Sequence, residues 1–287
     1  MTPDTVSVVL RALSLTALLQ AAGVSLFVLA LGRYLADSTA PVWRVAEWSA
    51  VAAGALLVSQ HAIEAARMAD DWSGMIDPAL QRLALMSGGG AALVARLLGL
   101  CLVSVGLRRG TSGWRAATLV GAIVIAGSFA LTGHTSAHRI RELLAPLLVI
   151  HVLIVAFWFG SLLPLYLSTT RESAARAGRV VEAFSAIAIW LVPVIAVAGV
   201  GMSLLLVPRW DVFLEPYGWL LIAKATGFAV LLGIAALNKW RLGPAIAHVD
   251  GRAGRAFRRS LVVEYALVTA VVVTTSVMTM LFSPGPS

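Results

Sequence analysis

Eight stretches of this sequence are apolar with no polar face: 6–32, 44–66, 83–107, 114–133, 143–167, 180–207, 217–238 and 260–282. Each reaches the ~17–25 residues that carry a helix across a bilayer. Backbone amides find no water in hydrocarbon, so runs of this length fold as helices that satisfy their own hydrogen bonds. The two-residue alternation of a half-buried strand is absent. The expected fold is therefore all-α, a polytopic membrane bundle of eight transmembrane helices in a single domain over residues 1–287. Charged residues make up only 13% of the chain, against about 25% in a soluble domain. The longest gap between spans is 239–259, too short for a separate soluble domain. The opening MTPDTVSVVL has no basic region and leads into a run longer than a signal peptide's apolar core, so a retained first span is expected.

A formal charge of +8 raises the question of nucleic acid. The distribution of the charge excludes that reading. Loops one, three, five and seven hold Arg33 and Arg44; Arg108, Arg109 and Arg115; Arg171, Arg176 and Arg179; and Lys239, Arg241, Arg252, Arg255, Arg258 and Arg259, fourteen in all. Loops two, four and six hold Arg67, Arg82, Arg139, Arg141 and Arg209, which is five. Basic residues concentrate in cytoplasmic loops, so the odd loops are expected inside and both termini outside. The stretch RAGRAFRR (252–259) then faces the anionic inner leaflet. The acids Asp70, Asp71, Asp77, Asp211 and Glu215 fall in outer loops.

On this topology the ligand-type side chains gather at the outer end. His61 lies near the outer end of span two, and His134 and His138 flank the loop between spans four and five. His151 sits eight residues into span five, roughly 12 Å deep. Only His248 is cytoplasmic. Met68, Met75 and Met86 surround outer loop two, Met202 ends span six, and Met278 and Met280 end span eight. Thioether and imidazole bind copper and haem iron. A polar residue buried in a span is costly and usually functional, which singles out His151, with no polar neighbour in IHVLIVAFWFG. The bland alternative is an imidazole bonded across a helix interface. His134 and His138 share a face if their helix continues past Gly133. Met278 and Met280, two residues apart, point to different sides; Met280 shares its face with Ser276 and Thr269. The methionines are equally explained as apolar filler.

Three further polar residues lie in spans. Lys224 stands roughly 10 Å into span seven, level with His151. Arg96 lies deep in span three towards the cytoplasmic half, where Glu47 or Glu182 is its expected acid. Glu264 lies early in span eight, on the cytoplasmic side. The single cysteine, Cys101, permits no internal disulfide and reads as a small packing residue.

The segments LTGHTSAH (131–138) and IHVLIVAFWFGSLLPLYL (150–167) resemble the copper-resistance D family. So do YGWLLIAKATGFAVLLGIAALNKWRLGPAI (217–246) and FRRSLVVEYALV (257–268). The resemblance covers about 131–283, while the first three spans share only the pattern of helices. It implies a copper-handling protein of the bacterial inner membrane, working beside a periplasmic CopC-type copper carrier. Carried over by position, the family's polar residues fall on His134, His151, Lys224, Asn238 and Glu264. The bundle also distantly resembles HemJ-type membrane proteins, which hold a haem b with histidine and a nearby lysine.

Three readings follow. The first is copper uptake through a periplasm-facing site drawn from His134, His138, Met202 and Met280. It leaves the cytoplasmic half with no ligand but His248. The second is a haem b oxidoreductase that takes electrons from quinol and reduces periplasmic Cu(II), with His61 and His151 as axial ligands and Lys224 at a propionate. The third is a non-catalytic docking partner of the copper carrier, which gives His151 and Lys224 no work. Copper, membrane lipid, the carrier and quinol are the expected partners, and nucleic acid is not among them.

Overall fold

In the computed structural model the described residues are 2–106, 113–133, 139–206, 210–246 and 251–282. Among them there is no strand, and eight helices are long and apolar enough to cross a membrane. They are α1 (Pro3–Leu31), α2 (Thr39–Ala69), α4 (Gly88–Gly106), α5 (Trp114–Ser128), α6 (Arg141–Arg171), α7 (Ala174–Leu206), α8 (Pro216–Leu237) and α9 (Gly251–Leu281). A short amphipathic helix, α3 (Pro78–Met86), lies between α2 and α4. The chain is a multi-pass membrane protein.

The spans begin and end where local chemistry dictates. Thr2 caps α1 by accepting from the Thr5 amide, and Pro3 sits at the first position, where its missing N–H costs nothing. Asp77 caps α3 in the same way, accepting from Ala79 and Leu80, with Pro78 next. The run expected as one span over 83–107 is divided at Ser87. Its hydroxyl accepts from the amides of Gly89 and Gly90, starting a new helix. The exposed Leu83, Leu85 and Met86 of α3 then suit the membrane interface. At the other end of the chain α9 starts at Gly251, so RAGRAFRR (252–259) is helix rather than loop. Its Ala253 and Phe257 are buried while Arg252, Arg255 and Arg259 are exposed.

α1 is the hub of the bundle. It packs against α2 and, on its other side, against α6, while α4 packs chiefly on α5. Glycines set the closest crossings. A Cβ on Gly23 of α1 would lie 1.7 Å from the Ala156 carbonyl oxygen, and one on Gly160 of α6 would lie 2.4 Å from Gly23 Cα. α4 and α5 meet through Gly99 and Gly121 in the same manner. Without a hydrophobic drive between helices in lipid, such close backbone contact supplies the packing energy. A second device links α1 to α6. Pro164 has no N–H to offer the carbonyl of Gly160 four residues back. The buried Gln20 amide takes that oxygen instead, at 3.3 Å.

One clasp fixes the end of the bundle opposite the termini. Glu172, just after α6, accepts from the backbone of Ala36 (2.8 Å) and Ser38 (3.0 Å) and from the Ser38 hydroxyl (2.5 Å). Arg176 adds a bond at 3.2 Å. Desolvation would raise this carboxyl, but the four donors outweigh it and hold it at about 2.

Candidate functional site

The imidazole of His151 lies on the side of α6 that packs against α7. His151 is ten residues into α6, roughly 15 Å along its axis. On α7 the ring rests against Gly199, where a Cβ would stand 3.5 Å from His151 Cε1 and 3.8 Å from Nδ1. The backbone of Ile195 lies within hydrogen-bonding reach of the ring. The buried Nδ1 has no partner among the described residues. Lys224, from α8, is close enough for its charge to act on the imidazole. It has no ion pair among the described residues.

Ile195, Gly199 and Met202 fall at i, i+4 and i+7, one stripe of α7. Met202 therefore continues the face that meets His151, one turn nearer the end that carries the N-terminus, about 4.5 Å further along. It is half-buried. An imidazole nitrogen and a thioether thus follow one another along a single inter-helix seam. Both are ligands for Cu(I).

The other sequence candidates are dispersed. Met280 is half-buried at the end of α9. Met278 is buried against Val212 and Tyr217, an apolar cluster at the same end of the bundle. Met68 and Met86 are exposed. His61 is half-buried on α2, one turn after the buried Leu57. α1 packs extensively on both α2 and α6, which touch one another only sparsely. His134, His138 and His248 lie outside the described residues. Among the described residues no three His, Cys, Asp or Glu side chains converge as a metal site. Cys101 is exposed rather than packed, so it faces the lipid side of α4.

Arg96 departs from expectation. Glu47 and Glu182 are exposed and do not reach it. Instead its Nε donates to Ser128 Oγ at 3.1 Å and its guanidinium lies over Phe129 at 5.0 Å. Ser128 ends α5 and Phe129 follows it, which puts Arg96 in the half of the bundle nearer the N-terminus, not the opposite half. The charge acting on it is that of Arg11, a second cation.

One cluster was legible only residue by residue. Glu264 is 2% exposed. Its carboxyl takes hydrogen bonds from Trp158 Nε1 at 3.3 Å and from Asn238 Nδ2. Asn238 Oδ1 in turn accepts from Ser260 Oγ at 2.5 Å. Sequence reasoning named Asn238 and Glu264 separately but not Trp158 or Ser260. The available signal was spacing: Trp158 is two helical turns from His151 on the same helix, and Ser260 one turn from Glu264.

Two family models match this chain. Residues 1–139 match the copper resistance protein D-like N-terminal domain, and residues 178–278 match copper resistance protein D. Arg11, His61 and Arg96 lie in the first match, and Met202, Lys224, Asn238 and Glu264 in the second. His151 and Trp158 lie between the two. No curated protein and no solved structure matches the chain.

Proposed function

The chain belongs to the copper resistance protein D family, and from that premise we propose that it carries periplasmic copper inward across the bacterial inner membrane. Copper handling at a membrane is the role that the family supports. The direction, the compartments and the ligands are our reading. The metal enters at the end of the bundle that holds both termini. His134 and His138 receive it together with Met280, and Met202 hands it to His151.

The observation that carries this reading is the seam between α6 and α7. A buried imidazole nitrogen without a partner is costly in a membrane, and a ligand ion would remove that cost. The thioether of Met202 extends the same seam outward. The soft thioether favours the monovalent ion, and imidazole accepts either copper state. The acidic outer loops with Asp70, Asp71 and Asp77 suit docking of a periplasmic carrier of the CopC type.

The test is copper bound per chain and copper-dependent growth for His151→Ala, Met202→Leu and His134→Ala. Each is expected to lose bound copper and to lower uptake. Parental copper content and growth in all three would sink the proposal.

A second reading has one observation in its favour. The charge of Lys224 acts on His151 and among the described residues no acid pairs with it, and a cation within reach of a cation site is unfavourable. A haem b would fit that pair in part, with His151 as an axial ligand and Lys224 at a propionate. When bound, it would supply one-electron transfer from quinol to Cu(II). His61 is the proposed second ligand, and the sparse contact between α2 and α6 weighs against it. The absorption spectrum decides the matter. A haem band lost in His151→Ala would support this reading, and a colourless protein made with ample haem would end it.

A further inference from the structure

Two turns along α6 from His151, about 10 Å further into the bundle, stands the carboxyl of Glu264. Three helices hold it: Trp158 of α6 bonds one oxygen, Asn238 at the end of α8 bonds the other, and α9 carries both Glu264 and Ser260. Asn238 opens a π-helical turn, Asn238–Leu242. Such turns insert a residue into the helix, re-aim the side chains around them and recur at functional sites.

Among the described residues no cation pairs with this carboxyl. From α6 it meets an indole and from α8 an amide. The neighbouring Lys239 ammonium turns to the Ser185 carbonyl at 3.5 Å. On α9, Arg258 donates to the Thr169 carbonyl at 3.1 Å, and Tyr265 stacks on Phe159. α1 carries only Asp4 and Arg11 as charged residues, both towards its N-terminus. A carboxylate in this setting would keep an uncompensated charge in low dielectric, at a cost that two neutral donors do not remove. Holding a proton would remove that cost.

We infer that Glu264 is a proton-carrying site inside the membrane, uncharged at rest, which releases its proton when a cation enters the bundle from the His151 side. The second half rests on the copper reading above. In that step the carboxyl O–H bond breaks and the proton passes to water, while Asn238 and Trp158 keep donating to the carboxylate that remains. The carboxylate that remains offsets the charge of one monovalent copper ion. No electrons change hands. Ligands are sparse in the half of the bundle beyond His151, and a carboxylate there supplies the charge that the arriving ion lacks.

Infrared difference spectroscopy of the full chain in lipid nanodiscs tests both halves. At neutral pH the protein should show a protonated-carboxyl carbonyl band that shifts in heavy water. That band should be absent in Glu264→Gln, whose amide keeps the shape of the acid. Should that variant not fold, Trp158→Phe removes one hydrogen-bond donor and must move the band. Absence of any such band would overturn the inference at its root. Adding Cu(I) alone should then bleach the band in proportion to bound metal. Bound copper with an unchanged band would overturn the exchange. If the protein binds no copper, the uptake reading and the exchange fall together, while the carbonyl band still reads the resting proton.

Discussion

The side-chain amide of Gln20 donates to the main-chain oxygen of Gly160 at 3.3 Å, the oxygen that Pro164 leaves without its helical donor. α1 thereby completes the hydrogen bonding of α6 at the point where the two backbones come closest. Gln20→Leu should strand a buried carbonyl and lower stability by about 1 kcal/mol, within the range for hydrogen bonds in membranes. In Pro164→Ala the residue-164 amide takes over, and Gln20→Leu should then cost clearly less. A double-mutant cycle on thermal unfolding in detergent measures the coupling. Equal losses in both backgrounds would show that the two residues act independently.

Gly160→Val places atoms where the Gly23 backbone already lies. Rotamer changes cannot relieve a clash with main chain, so α1 and α6 must separate. The expected loss is at or beyond the ~3 kcal/mol upper end of ordinary overpacking, read as poor yield of monodisperse protein. Gly201→Ala is the control, because no atom lies within 4 Å of a Cβ there.

Glu172 ties the loop after α1 to the loop after α6, with its carboxyl held at about 2, below the ordinary 4.5 of a glutamate. A depressed acid contributes stability that is fully present above its unfolded value and lost as pH falls towards its folded one. Thermal stability should therefore have its Glu172-dependent part intact down to about pH 5 and lose it between about 4.5 and 2. Glu172→Gln should be less stable than the parent at neutral pH and converge with it near pH 2. A constant gap across that window would rule out the clasp as the cause.

The methionines of α9 and α7 should separate by role. Met278 is packed against Val212 and Tyr217, so Met278→Leu should cost under about 1.5 kcal/mol, as volume-conserving swaps do, and leave bound copper unchanged. Met202→Leu, equally conservative in volume, should lower it. Metal analysis of the two purified variants makes the comparison.

Sidedness rests on the split of fourteen against five basic loop residues. A reporter fused after Ser287 should be active only in the periplasm. Cytoplasmic activity would invert the copper path proposed above.

What the sequence determined by itself was the all-helical class, the number of spans and their approximate limits. Transfer of ~20 apolar residues from water to lipid is a property of each segment alone, so it can be read without knowing any neighbour. The expected depth of His151 and of Lys224 came from the same count, and the charge of Lys224 acts on the imidazole. What tertiary structure decided was which faces meet. Helix rotation is set by main-chain approach at Gly23 and Gly160 and by the oxygen that Pro164 frees, neither of which a hydropathy profile records. For this reason Arg96 met Ser128, Phe129 and Arg11 rather than Glu47 or Glu182. For the same reason Met278 was buried among apolar side chains, Cys101 turned to lipid, and Trp158, Asn238 and Ser260 came together around Glu264. A carboxyl in a span announces a cost in one dimension, but its partners belong to three other turns of helix, and only packing brings them within hydrogen-bond distance.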